Sequence, residues 1–452
     1  MVAGEELEGP CRRDSAMNVF TANYNQHSEC MYHCEKLGKG RSPPIRTLEE
    51  LKTLQTELQA ITPNTMDLPW LWLSATDQKE EGVWRDFYTG ERLGEFAKPW
   101  YSNDDQLGDQ YNCLNMYTDV SANISWGETT CFNNRACPCK YNKQPVLLLR
   151  GTCQYSYFDY KHTPKQLAGS PEDVFLIGQL GTQIRYNESS KQWVMTDARA
   201  SVMAKSQASK ESYALGKQEW TVTNDVFACN KGEPYTTQFK LSGCNPQGEF
   251  TCNDGQCVTM EERCDQIPDC RDKSDERDCK LLETEEGYNR KVPPITSLGK
   301  TDKTIVPVKV NISISLLKIV GMEEVQHKID LQFEITLEWK ENRATYQNLK
   351  KKTSLNALTD EDISALWLPY VIYANTDMKE AVQIADGLKT TIVVTREGNF
   401  TRSDMNDIDE FESFKGKDNK LVMSQTYTKS FQCPYNLQKY PFDIQVNNAK
   451  QF

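Results

Sequence analysis

Histidine is scarce, basic charge is in deficit and no long apolar run exists, and each shortage removes a class of function. With only four histidines, no nucleophile motif, no zinc-ligand spacing and no glycine-rich phosphate loop, the chain lacks the usual parts of an enzyme. Lys+Arg 52 against Asp+Glu 64, a net −12 without a basic cluster, excludes nucleic acid and an anionic membrane surface as electrostatic partners. Calcium is the counter-ion this balance favours. No stretch approaches the roughly 18 apolar residues of a transmembrane helix, and MVAGEELEGP lacks the apolar centre of a signal peptide. Cysteine is also missing, but only regionally: beyond Cys279 the chain holds Cys433 alone.

Elsewhere cysteine is abundant. Sixteen of them, unevenly placed in 452 residues, imply several small cross-linked modules in an oxidising compartment rather than one core. Sequons at Asn123, Asn187, Asn311 and Asn399 suit a glycoprotein on the secretory route. A secretory composition without an export signal leads to the expectation that the N-terminus is incomplete or was removed.

The first stretch contains LEELKTLQTELQAI, whose Leu48, Leu51, Leu54, Leu58 and Ile61 recur at three- and four-residue steps and so predict an amphipathic helix packed on a sheet. WLWLSATDQKEEGVWRDFYTGE and SWGETTC follow as short aromatic-rich runs with turn residues between them, as in a compact α+β domain, with the tryptophans as core. Residues 145–242 alternate short apolar and polar runs around Trp193 and Trp220; a β-rich structural unit is expected, closed by Cys153–Cys229. The segment 244–279 packs six cysteines into about 36 residues, too few to fold on apolar burial alone, so disulfides and a metal must supply stability. Asp265, Asp269, Asp275 and Glu276 are hard oxygen donors crowded into one loop, a set that suits calcium.

Phe250, DGQC and CDQIPDCRDKSDE resemble the class A repeat of the low-density-lipoprotein receptor. The resemblance implies the pairs Cys244–Cys257, Cys252–Cys270 and Cys264–Cys279. It also implies a calcium shell of the Asp265, Asp269, Asp275 and Glu276 side chains with the backbone carbonyls of Glu262 and Ile267. Repeats of this family grip a lysine of a protein partner; a single copy can also serve as a spacer. WLSA and EGVW followed by Gly90 resemble landmarks of a C-type-lectin-like domain over 11–142, which implies Cys34–Cys139 and Cys113–Cys131. Cys11, Cys30 and Cys137 are left over, with one further disulfide expected among them. The proline motif of sugar-binding members is absent before Cys113, and Gly127 and Glu128 follow Trp126. A protein-binding or structural role is therefore expected in preference to sugar binding, although Asn103, Asp104 and Asp105 could rebuild a site.

From Leu281 the character changes. VKVNISISL alternates Val308, Val310, Ile312, Ile314 and Leu316 with polar residues, and LQFEITLEWK alternates Leu331, Phe333, Ile335, Leu337 and Trp339. Each is expected to bury one face, as a long antiparallel pair of a sandwich or barrel. EGYNRKVPP, LEWKENR with Glu341, ISALWLPYVIYAN, TREGNFT and CPYNLQKYPFDIQ resemble the ligand-binding domain of Cys-loop pentameric ligand-gated ion channels. The family closes its signature loop with a cysteine where Asn447 stands, and Tyr370 replaces its Asp. Hence Cys433 stands alone, and the C-terminus is expected to break off inside the motif. Trp339 and Trp367 are the candidate ligand-contacting aromatics, able to enclose a cation.

The expected fold is therefore multidomain. It comprises an α+β C-type-lectin-like domain (11–142), a β-rich module (145–242), a disulfide- and calcium-stabilised class A module (244–279) and an incomplete all-β sandwich of Cys-loop ligand-binding type (281–452). The function this implies is the extracellular part of a receptor subunit, pentameric if complete, that recognises an extracellular protein or a small molecule. The alternative is a secreted recognition or adhesion protein.

Overall fold

The computed structural model describes residues 20–432 apart from 38, 44, 46, 62–69, 94–109, 119–123, 142, 154–155, 157, 168–169, 224–233, 299–304 and 374–390. Cys11, Asn103, Asp104, Asp105, Asn123, Cys229, Cys433 and Asn447 lie outside the described residues. Two compact units result. The first is Met1–Met260 with Pro268–Asp275 and Asp404–Glu410; the second is Glu261–Ile267 with Glu276–Ser403 and Phe411–Phe452.

In the first unit, the helix expected from leucine spacing spans Leu48–Ile61. Its start is fixed by reciprocal bonds: Thr47 Oγ1 accepts from Glu50 N at 3.2 Å, and Glu50 Oε2 accepts from Thr47 N at 3.1 Å, which satisfies two donors left over at the helix end. Leu51 and Leu54 join Leu71, Leu73, Leu114 and Trp126 in one core. The strands run in the order Phe20–Asn25, Arg135–Cys139, Trp70–Thr76, Cys113–Thr118 and Ile124–Thr129, with Arg85–Asp86 also on Trp70–Thr76. Trp72 and Trp126 are fully buried, as core tryptophans should be.

Cys30 and Cys34 stand four apart on the helix His27–Lys36 and so share a face. Cys137 and Cys139 stand two apart on a strand and do the same. The matched faces are joined twice, Cys30–Cys137 and Cys34–Cys139. Of the three left-over cysteines, Cys30 and Cys137 are thus the pair. Three of the four histidines, His27, His33 and His162, are buried here. Burial holds the rings of His27 and His162 down to a pKa of about 4 and that of His33 to about 3. They are neutral core groups; His27 Nε2 lies 2.8 Å from the Leu73 carbonyl.

The middle segment closes into a barrel, which alternation alone did not reveal. Its strands are Leu147–Arg150, Lys161–Leu167, Ser170–Gly178, Gln183–Asn187, Gln192–Thr196, Val202–Ser206, Gly216–Val222 and Tyr235–Ser242. Each pairs with the next, and the last returns to the first through Leu241 opposite Leu149. Trp193, Trp220, Met195 and Phe239 are buried in its core, which suits an eight-stranded barrel filled by side chains. The closing pair sets two cations directly opposite, Lys240 and Arg150, an arrangement that repels. The Glu410 carboxylate resolves it, accepting from Arg150 Nη1, from Lys240 Nζ at 3.0 Å and from Thr251 N at 2.9 Å.

The second unit holds two four-stranded sheets. One runs Leu282–Thr284, Ala344–Gln347, Glu412–Lys415, Phe400–Arg402; the other runs Asn311–Glu323, Lys328–Trp339, Lys420–Gln432, Thr391–Thr395. Their side chains meet in one core: Phe333, Ile335, Leu337 and Trp339 from the central strand pack with Tyr346, Phe414, Ile392, Val394 and Leu421. A helix, Asp360–Ala365, is capped reciprocally by Thr359 and Asp362.

One expectation is overturned. The strand Asn311–Glu323 does not bury a face: Ile312, Ile314 and Leu316 are 58%, 52% and 59% exposed. It is the edge of its sheet, bonded only to Lys328–Trp339, and the residues that cap the core come from strands facing the other three. Alternation reports that a strand could bury a face, not that a layer covers it. Ile335→Ala should therefore cost about 2–5 kcal/mol, in the range of buried aliphatic truncations, whereas Ile314→Ser should change stability by no more than about 0.5 kcal/mol. Urea denaturation of the two variants checks the contrast; equal losses would mean that the edge strand is covered.

Candidate functional site

The class A segment is built from a hairpin, Glu249–Thr251 with Cys257–Thr259, over a very small core of Phe250, Cys252, Val258, Met260 and Cys270. Disulfides supplement it: Cys244–Cys257, Cys252–Cys270 and Cys264–Cys279. In the first unit, Asp275 is fully buried and its Oδ2 accepts from Asp269 N at 2.6 Å. In the second, the Glu276 carboxylate accepts from the amides of Asp265 and Gln266 at 2.9 and 3.0 Å, and Asp265 Oδ1 accepts from Ile267 N at 2.9 Å. Backbone donors thus orient the Asp265, Asp275 and Glu276 carboxylates. Glu262 and Ile267 offer main-chain oxygens; the Ile267 side chain is 59% exposed. A second cluster sets the sulfurs of Cys252 and Cys270 and a carboxylate oxygen of Asp272 within 4.8 Å of one another. Those sulfurs are bonded to each other and present no thiolate, so this cluster is not a metal site.

Among the remaining sequence candidates, Cys113–Cys131 is formed and Cys153 is in a disulfide. The acceptor asparagines Asn187, Asn311 and Asn399 are exposed.

In the second unit, Trp339 and Trp367 stand edge to face with centroids 6.4 Å apart, Trp339 buried and Trp367 packed against the same core. The chain leaves the central strand at Lys340 and turns Glu341 inward, where it is fully buried. Arg343 grips that carboxylate with two bonds, Nε to Oε1 and Nη2 to Oε2, both 2.8 Å. Tyr288 OH donates to Oε2 at 2.9 Å and accepts from Trp367 N at 2.8 Å. Burial, the Glu341 charge and its bond push the Tyr288 hydroxyl up to about 12, so it stays a donor. Sequence reading singled out Glu341 only as a motif position; that Arg343 and Tyr288 complete a network had no signal beyond Tyr288 lying in EGYNRKVPP.

Trp339 also lines a cavity of about 250 Å³, together with Asn342, Glu338 and four lysines, Lys309, Lys340, Lys417 and Lys420. These lysines span more than a hundred positions of the chain and form no local motif.

Residues 242–279 match the low-density lipoprotein receptor domain class A, and residues 279–448 match the neurotransmitter-gated ion-channel ligand binding domain. The chain carries both domains. Both families are receptor or binding modules, and together they make this an extracellular, receptor-type region. Among curated proteins it is similar to the vitellogenin receptor of Solenopsis invicta (35% identity over 51 residues, 11% of this chain and 3% of that one). It is also similar to the basement membrane-specific heparan sulfate proteoglycan core protein of Mus musculus (38% over 82 residues, 15% and 2%) and to the low-density lipoprotein receptor-related protein 8 of Homo sapiens (42% over 53 residues, 12% and 5%). The chain thus spans only a few per cent of these relatives' length. Among solved structures, a Ca2+-dependent type II antifreeze protein in its Ca2+-free form and a herring type II antifreeze protein share 17% and 16% identity. They cover 27% of this chain, with 88% and 87% of their own length matched. Their TM-scores of 0.22 and 0.21 are too low to establish a common fold. No helix among the described residues is long and apolar enough to cross a membrane.

The buried network of the ligand-binding domain predicts an asymmetry. Arg343→Ala strands a fully buried carboxylate and should cost about 3–5 kcal/mol. Glu341→Gln frees a part-exposed guanidinium to reach water and should cost only about 1–2 kcal/mol. Equal losses in chemical denaturation would show that Arg343 is not what neutralises Glu341.

Proposed function

We propose that this chain is the extracellular portion of a receptor subunit of Cys-loop ligand-gated channel type, in which recognition modules precede the ligand-binding domain. The observation that carries the reading is the match over residues 279–448 on a two-sheet sandwich whose core encloses Trp339 beside the buried Glu341. In the completed receptor a pentamer holds ligand at subunit interfaces, and the ligand shifts a closed–open equilibrium by its differential affinity for the two states. Residues 11–142 serve as a C-type-lectin-like, protein-binding or structural module, and the barrel at 145–242 as a structural spacer. The exposed Asn187, Asn311 and Asn399 carry glycans. Sequencing the transcript across the codon for Asn447 tests the reading. Continuation into a closing cysteine and four apolar spans is expected; a stop after Phe452 would overturn it in favour of a secreted recognition protein.

The class A segment is proposed to hold calcium through the side chains of Asp265, Asp269, Asp275 and Glu276 and the carbonyls of Glu262 and Ile267. The donor set fits, being all oxygen and rich in carboxylate, as calcium requires and softer metals do not. Bound, the ion offsets the mutual repulsion of the acids and adds its binding energy to folding. Chelation with EDTA should open residues 244–279 to protease and leave the second-unit sandwich resistant. Identical digestion with and without chelator is the result that would sink the calcium assignment.

A further inference from the structure

The segment Asp404–Glu410 belongs to the first unit, although Ser403 before it and Phe411 after it belong to the second. It is the tip of a hairpin. The stem is formed by Phe400–Arg402 and Glu412–Lys415, with Arg402 opposite Glu412, and both strands lie within the ligand-binding domain. Arg402 Nη2 donates to Glu412 Oε1 at 2.9 Å, and Ser403 N donates to the Phe411 carbonyl at 3.0 Å. The tip has a shape of its own: Asp404 N donates to Asp407 Oδ2 at 3.0 Å and Asn406 N to Asp404 Oδ1 at 2.9 Å. Short acidic side chains fix turns in this way.

Within the first unit this tip is seated on the barrel along its whole length. At its start, Tyr160 OH donates to the Met405 carbonyl at 3.3 Å and Gly151 N to the Asn406 carbonyl at 2.8 Å. The Asn406 side chain bonds Thr152 twice, accepting from Oγ1 at 3.1 Å and donating to the carbonyl. Ile408 lies over Gly151, where a Cβ would meet its side chain at 3.0 Å; the φ of Gly151 is +90°, so conformation and contact both call for glycine. At its end, Glu410 enters the seam that closes the barrel, Leu147–Arg150 with Tyr235–Ser242. Besides Arg150 and Lys240, its carboxylate accepts from Thr251 N and Oγ1 at 2.9 and 3.1 Å. The Arg150, Lys240 and Glu410 side chains are 2%, 3% and 7% exposed. Withdrawing the tip strands two buried cations, which is costly.

We infer that Asp404–Glu410 is a coupling strap, through which the state of the barrel seam sets the order of the hairpin stem in the ligand-binding domain. Loosening the seam frees the strap and the stem with it. The coupling is reciprocal, since a free energy that links two sites acts equally in both directions. The barrel is then more than a spacer: an extracellular partner that binds it and tells a seated strap from a free one acts on the ligand-binding sheet by that difference in affinity. This holds whether or not the chain continues into a channel, so its test is separate from that of the transcript.

The test is amide hydrogen exchange on the full 452-residue chain, which reads local opening. Lys240→Met perturbs the seam from the barrel side, and the amides of Ser403 and Glu412 report on the stem. Thr152→Val removes one hydroxyl from the docking surface and leaves the buried ions in place, so it gives the same readout in a barrel that keeps its charges. Arg402→Gln perturbs the stem, and the amides of Gly151 and Thr251 report on the seam. Stem exchange should quicken about tenfold in Lys240→Met, within the range of ordinary coupling energies, and measurably in Thr152→Val. Seam exchange should quicken in Arg402→Gln. The ladder of Gln183–Asn187 with Gln192–Thr196 and that of Lys328–Trp339 with Lys420–Gln432 touch neither site and should be unchanged. Stem amides unchanged in both barrel variants, seam amides unchanged in Arg402→Gln, or equal quickening of these control ladders in Thr152→Val and Arg402→Gln would each overturn the inference.

Discussion

The hydrogen-bond ladder between Lys328–Trp339 and Lys420–Gln432 is the constraint on which the ligand-binding domain depends. It is continuous from Lys328 opposite Gln432 to Trp339 opposite Leu421, and a side-chain period of two then fixes which residues face the second sheet. A slip of one residue would turn Phe333, Ile335, Leu337 and Trp339 out of the core together. Beyond Trp339 the chain turns out of the strand. That turn carries Glu341 inside and brings Arg343 back onto it, while Tyr288 ties the same carboxylate to the backbone of Trp367. The cavity lined by Lys340 and Asn342 lies at the same strand end, so the features of chemical interest in this domain follow from one register.

The first unit is held by different means. Its strands and helix are cross-linked within the core itself: two disulfides bind the helix His27–Lys36 to one strand, and a third spans Cys113 and Cys131. The barrel relies instead on closure, which removes free edges altogether. Closure has a local cost, the two cations brought opposite each other, and Glu410 offsets it from far along the chain. The edge strand Asn311–Glu323 is the reverse case, a strand with one paired side and apolar side chains in water on both faces.

Legibility followed the range of the interactions. The helix at Leu48–Ile61 could be read because leucine spacing and its cap both lie within a few residues. The acids of the class A segment and the family-implied cysteine pairs Cys244–Cys257, Cys252–Cys270 and Cys264–Cys279 could be read because the segment closes on itself within a short loop. The inward alternation of Phe333 to Trp339 was visible for the same reason, and so was that of Ile312 to Leu316; only the first acquired a covering layer. Barrel closure, the Arg150–Lys240–Glu410 cluster and the Glu341 network all join positions that no local pattern relates.

By itself the sequence determined the class A segment, its oxygen-rich donor set at 265–276 and the identity of the last domain, because each is written in residue types at short spacing. Only the tertiary structure decided which apolar face is buried, that Cys30 and Cys137 pair with each other and what charge surrounds Trp339. Lys309, Lys340, Lys417 and Lys420 are scattered cations along the chain and come together around one cavity only when the strands Asn311–Glu323, Lys328–Trp339 and Lys420–Gln432 pair in one sheet. Charge in space depends on distance, and distance is what folding sets.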